Sequence, residues 1–168
     1  MNRARLIGFA IAFALFVLDQ AVKAYVTGTL GLDTPGDALT VLPIFDLRFV
    51  QNIGVSLGML AADSEPMRWG LVALTGAIAA GVAYWMVREN NRTDLIALGM
   101  VLGGALGNIL DRVRFGYVVD YADLHFGTWQ PFLVFNVADA AITIGVLILL
   151  ARALFVRDKP APRESSNA

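Results

Sequence analysis

Two aspartates carry the chemistry that this sequence can do. Asp120 in Val118-Val119-Asp120-Tyr121 and Asp139 in Phe135-Asn136-Val137-Ala138-Asp139-Ala140-Ala141 stand near the outer ends of strongly apolar segments. Carrying a carboxylate into a bilayer costs roughly 2.5 to 3.5 kcal/mol on insertion scales, so such an acid is read first as functional. The connection from Tyr121 to Gln130, with Gly127 and Thr128, is long enough to fold back and let the two acids meet. Two close carboxyls at reduced dielectric do not both ionise easily: one keeps a proton, the other stays charged, and the titration belongs to the pair. The ionised member can take a proton from an attacking water, while the protonated member polarises a carbonyl and later protonates a leaving amine. On these residues alone three readings stand: acid-base hydrolysis, a relay such as a small proton- or cation-coupled transporter uses, and polar packing.

Other polar residues cluster around the same depth. Asp19 and Lys23 are four apart and share a helical face, so they can pair as structural support. Asn108, Asp111 and Arg112, at i, i+3 and i+4, share a face where the third apolar stretch ends. That cluster can orient a peptide backbone or a lipid headgroup, or serve as a helix-end network with an Asp111 to Arg112 pair. Asn136 and Asp139 lie three apart, a turn or two below the outer surface. They require partners, because unsatisfied polar groups in hydrocarbon cost several kcal/mol.

The elements that must position these groups are membrane spans. The chain is 57% hydrophobic and 16% charged, with mean hydropathy +0.64, too apolar for an ordinary soluble domain. Four apolar stretches predict helices over about 6–26, 69–87, 95–110 and 132–150, each near the roughly 20 residues that cross a hydrocarbon core. Arg3 and Arg5 before the first resemble a signal peptide, but the run continues into a charged helical end and reads as a retained anchor. Arg3, Arg5, Arg88, Arg92, Arg152, Arg157, Lys159 and Arg163 fall on one side, which is cytoplasmic by the positive-inside rule. Both termini are therefore expected inside. Residues of about 36–60, rich in β-branched and aromatic types around Val41 to Val50, predict a small strand pair or cradle on the outer side. The expected organisation is one domain over 1–157 and a disordered cytoplasmic tail over 158–168.

Composition also excludes chemistries. With no cysteine there is no disulfide, thiolate nucleophile or cysteine metal site. With a single histidine, His125, no His-Glu-x-x-His zinc motif can be written. No metal and no cofactor are expected. A net charge of -1 without a basic run gives no footprint for nucleic acid.

Read in order, Asp19-Gln20-Ala21-Val22-Lys23, Val50-Gln51-Asn52-Ile53-Gly54-Val55-Ser56, Gly107-Asn108-Ile109-Leu110-Asp111-Arg112, Val118-Val119-Asp120-Tyr121 and Phe135-Asn136-Val137-Ala138-Asp139 resemble the motif set of bacterial lipoprotein signal peptidase, signal peptidase II, over about residues 1 to 157. The resemblance implies an α-helical integral membrane protein with four transmembrane helices and a small extracytoplasmic β-cradle with a loop or helix. It implies an aspartyl endopeptidase of the bacterial inner membrane, active at the extracytoplasmic face, that removes signal peptides from diacylglyceryl-modified prolipoproteins on the N-terminal side of the lipidated cysteine. Asp120 and Asp139 would be the catalytic pair. Asn52, Gly54, Asn108, Arg112 and Asn136 would bind substrate, with Asp19, Lys23 and Asp111 in support. The implied partners are lipidated prolipoproteins, membrane lipids and the cyclic-peptide inhibitor globomycin, and a monomer is expected. Two positions depart from the commoner pattern, Leu57 for phenylalanine and Tyr121-Ala122-Asp123 for Phe-Ile-Asp, and both bear on groove shape and inhibitor fit.

Overall fold

The structure is a computed structural model and describes residues 2–55, 60–61 and 65–155. Leu57 and the tail 158–168 lie outside the described residues. Four helices form the bundle: α1 over Arg3–Ala24, α2 over Glu65–Arg88, α3 over Arg92–Phe115 and α4 over Val137–Phe155. All four are long and apolar enough to cross a membrane. Their outward faces carry exposed Phe13, Ile78, Leu147 and other large apolar side chains, as lipid solvation requires.

Helix α3 lies at the centre and packs on the other three. Small residues make this close approach feasible: a Cβ on Gly103 would drive into the backbone of Ala12, and one on Gly104 into the backbone of Ala138. Gly99 and Gly103 are thus the surface on which α1 rests, and Gly104 the one on which α4 rests. At one end of the bundle the Arg5 guanidinium donates to the Glu89 carbonyl at 2.9 Å, and Arg152 pairs with Asp94 at 2.6 Å. That end therefore gathers the N-terminus, the α2–α3 turn and the end of α4.

The opposite end carries the β structure. Strands β1 (Ala38–Leu42), β2 (Phe45–Asn52) and β5 (Val118–Leu124) form an antiparallel sheet in that order. A small hairpin pairs β3 (Gly54–Val55) with β4 (Leu60–Ala61). The cradle expected at about 36–60 is therefore completed by a strand that begins 66 residues after β2 ends, because Val50 pairs with Asp120 and Asn52 with Val118.

Helix boundaries differ from those read from hydropathy, each for a local reason. Helix α1 runs on through a π turn at Tyr25–Thr29. Glu65 opens α2 earlier than residue 69 and is held there by Arg68 and Trp69. Helix α3 starts at Arg92, since the Asn91 side chain accepts from the amides of Thr93 and Asp94. It ends past residue 110, at a left-handed Gly116 with φ 88°. Residues 132–136, apolar enough to read as helix, precede α4 instead, and Phe135 bridges to Ala122 of β5. Asn136 and Asp139 consequently sit at the mouth of α4, not a turn or two inside it.

Candidate active site

Strand β5 delivers Asp120. Its neighbours Val119 and Tyr121 join Val26, Leu32 and Phe49 in a buried cluster that anchors the strand. Asp120 is itself 2% exposed. Its Oδ1 accepts from Asn136 Nδ2 at 2.6 Å and its Oδ2 from Asn52 Nδ2 at 2.9 Å. Asn52 is shaped for this by the chain's next turn, since its own Oδ1 accepts from the Gly54 amide at 3.2 Å. Burial, and then the charge of Asp139, raise the Asp120 carboxyl to a pKa of about 7, against the two amide donors that favour its ionised form.

Helix α4 delivers Asp139 through a reciprocal cap. The Asp139 amide donates to Asn136 Oδ1 at 2.9 Å, and the Asn136 amide donates to Asp139 Oδ2 at 3.2 Å. This is the capping-box arrangement with Asn at the N-cap and Asp three residues on. The segment that leads into it is tied to β5, because Phe135 and Ala122 exchange backbone hydrogen bonds at 3.1 and 2.7 Å. One strand and one helix start are thereby locked together, and Asn136 touches both acids.

Beneath the acids lies a charged support. Lys23 Nζ is 2.8 Å from Asp19 Oδ2 and 2.7 Å from Asp111 Oδ2, and donates to Asn108 Oδ1 at 3.2 Å. Asn108 in turn donates to Asp139 Oδ1 at 2.8 Å. Asp19 accepts from the Ala138 amide at 3.0 Å, and Asp111 from the Val119 amide at 3.1 Å. Each acid of the support therefore grips the backbone next to one of the paired acids: Asp19 beside Asp139, Asp111 beside Asp120.

The expected Asp111 to Arg112 pair does not form. Asp111 is drawn to Lys23 of α1, an opposite charge at low dielectric, while Arg112 turns the other way. Its guanidinium donates to the Asn108 carbonyl at 3.4 Å and lies in the field of Asp139 and Asp120. Two contributors carried no sequence signal of their own. Gln20 donates to Asp111 Oδ1 at 2.9 Å and to Asp19 Oδ2 at 3.2 Å; only its place inside the Asp19 to Lys23 motif could have marked it. Arg68 of α2 donates to the carbonyls of Arg112 and Val113 at 2.8 and 2.7 Å, satisfying the end of α3.

Asp139 opens onto an apolar groove of about 250 Å³ walled by Phe132, Leu133, Phe135 and Ile144. Among the described residues, no group of three or more acids or histidines is arranged to hold a metal ion. Two acids, a shared amide bridge, a nearby guanidinium and an apolar groove can bind an extended apolar chain and hydrolyse a bond at its polar end.

The chain is similar to known proteins over most of its length. A family model described as signal peptidase (SPase) II matches residues 11–155. The lipoprotein signal peptidase of Rhizorhabdus wittichii is 53% identical over 164 residues, 98% of this chain and 95% of that protein. That of Sphingopyxis alaskensis is 54% identical over 152 residues, 90% of this chain and 87% of that protein. A solved bacterial membrane enzyme, at 2.3 Å by the in meso method, superposes with TM-score 0.75 at 28% identity, covering 91% of this chain and 93% of the other. A second, at 1.9 Å, gives 0.76 at 27% identity over 90% and 94%.

Proposed function

Since this chain belongs to the signal peptidase II family, a peptidase with four membrane-spanning helices, we propose that it removes signal peptides from lipidated prolipoproteins with Asp120 and Asp139 as a water-activating pair. The observation that carries the reading is the double engagement of Asn136, whose side chain donates to Asp120 at 2.6 Å while its cap holds Asp139. One buried amide thus fixes both acids in a common frame. With Asp120 raised to about 7, the pair shares one proton near neutrality. The ionised carboxylate takes a proton from water as it attacks the scissile carbonyl, the protonated partner polarises that carbonyl, and the proton then passes to the leaving amine. Atoms balance with water alone.

The supporting roles follow from contacts. Asn52 and Asn136 hold Asp120, Asn108 holds Asp139, and Gly54 fixes Asn52. Arg112 offers a cation to the substrate backbone or to developing oxyanion charge. The groove beside Asp139 suits apolar side chains of the signal peptide or an acyl chain of the lipidated cysteine, and a globomycin-type cyclic peptide would compete there. Cleavage on the N-terminal side of that cysteine puts the scissile amide where a lipid anchor meets the interface. The end carrying the sheet would then face outward from the bacterial inner membrane, with both termini in the cytoplasm.

Asp120→Asn and Asp139→Asn are each expected to abolish cleavage of a diacylglyceryl-modified model prolipoprotein while the variant remains folded in the membrane. Near-normal turnover by either would sink the pair. Orientation is tested apart from activity, since a chain without cysteine suits single-cysteine labelling. Asp37→Cys is expected to react with an impermeant reagent from outside, and labelling only from the cytoplasm would reverse the topology.

A further inference from the structure

A second cavity lies between the outer ends of α1 and α3, with β2 and β5 above it. It has a volume of about 380 Å³. Asp120 does not line it, but Val119, next to it on β5, does, so the cavity and the acids are separated by the strand and by the Lys23 and Asp111 support. The charged groups of its floor are already engaged, Lys23 being held by Asp19, Asp111 and Asn108 with one formal negative charge in excess. The charges left for a ligand are Arg114 and Asp33, which also border the cavity. Neither has an ion-pair partner among the described residues. The Arg114 guanidinium is held 4.9 Å from the Phe115 ring.

The walls and level of the cavity indicate what those charges meet. Helix α1 widens there into its π turn, a feature often found at functional sites. Gly28 of that turn borders the cavity, and a Cβ on it would meet no atom within 4 Å. Both flanking spans end at this height, which puts the opening among lipid headgroups. Exposed Tyr25 and Phe115 continue the surface as apolar, amphipathic contacts of the kind found at membrane interfaces.

We propose that this cavity binds the zwitterionic headgroup of a membrane phospholipid, its phosphate on Arg114 and its primary ammonium on Asp33, so that ethanolamine-type lipids are preferred. A guanidinium suits a phosphate oxygen through charge-assisted hydrogen bonds. A carboxylate accepts hydrogen bonds from a primary ammonium but none from a quaternary one, which has no N–H. The proposal is independent of the peptidase reading, since it uses none of the residues assigned to cleavage.

The test uses the full chain, delipidated in detergent and followed by native mass spectrometry during titration with phosphatidylethanolamine, phosphatidylcholine and soluble phosphoethanolamine. Wild type is expected to retain one phosphatidylethanolamine in preference to phosphatidylcholine. Arg114→Gln should weaken that retention roughly tenfold or more, the loss of one charge-assisted contact. Asp33→Asn should remove the preference for ethanolamine over choline. Both side chains are exposed, so unchanged thermal unfolding and unchanged prolipoprotein cleavage are expected as controls. Equal lipid retention by Arg114→Gln, or wild-type binding without headgroup preference, would overturn the site. Equal affinity for soluble phosphoethanolamine would overturn the lipid as its occupant.

Discussion

Asn136 and Asp139 cap one another at the start of α4, the Asp139 amide donating to Asn136 Oδ1 at 2.9 Å and the Asn136 amide to Asp139 Oδ2 at 3.2 Å. A helix start leaves its first amides unpaired, and in a membrane protein that need is acute. Here it is met by the acid proposed for catalysis. Asp139 is thus held by backbone geometry instead of by its rotamer alone, while the Asn136 side-chain amide donates to Asp120 and, at longer range, to Asn108 and the Val119 carbonyl.

The coupling predicts a pH dependence. Asp120 sits at about 7 because burial and then Asp139 disfavour its charge. The proposed mechanism requires one proton on the pair, so kcat/KM is expected to fall as pH rises through about 7. Asn52→Ala removes a donor that favours the ionised form, and the alkaline limb should move upward. An unmoved limb would contradict the assignment. The sign for stability follows from the same shift: a folded pKa above the unfolded value stabilises fully below the ordinary carboxylate range, and that contribution is lost as pH rises through about 7. Asp120→Asn, neutral throughout, should lack this decline in thermal unfolding.

Among the described residues, Lys23 is the one cation paired with Asp19 and Asp111, both 0% exposed. Lys23→Met would leave two buried acids uncompensated, a cost of about 3–5 kcal/mol for breaking a buried pair. A large drop in midpoint temperature in detergent is expected, with loss of cleavage because Asp19 and Asp111 no longer hold Ala138 and Val119. A variant as stable as wild type would show that the support is dispensable.

Tyr121 is 4% exposed, and its hydroxyl makes no full hydrogen bond among the described residues, only a weaker approach from the Val137 amide. Burying an unpaired hydroxyl is costly, and removing it without changing the ring leaves the packing against Val26 and Phe49 intact. Tyr121→Phe is expected to raise stability by about 1 kcal/mol and to leave cleavage within about twofold of wild type, because the ring and not the hydroxyl supports β5. A destabilised or inactive variant would reveal a polar role for the hydroxyl.

Much of this protein is legible in the order of its residues. Four spans and their crowding of arginines at one end follow from hydropathy and charge, which are sums over local composition. The residues of the candidate site are legible too, because their types are costly at membrane depth and recur in a recognisable order. Strand β5 was not legible as a strand. Six of its seven residues are buried on both faces, so Val118 to Leu124 lacks the alternation that marks a half-exposed strand. Helix α4 starts later than hydropathy places it, because Phe132 and Leu133 are apolar yet lie outside the helix, an arrangement set by the backbone pairing of Phe135 with Ala122.

Pairing choices belonged to the tertiary structure alone. Asp111 has an arginine beside it in the chain and takes a lysine 88 positions away at 2.7 Å, because burial rewards the partner that helix packing brings to the same depth. Asp120 and Asp139 are named by sequence as acids able to share a proton. That a single amide, Asn136, holds both is a fact of how β5 meets α4, since hydrogen-bond reach depends on the backbone paths of two elements and local composition contains no record of their meeting.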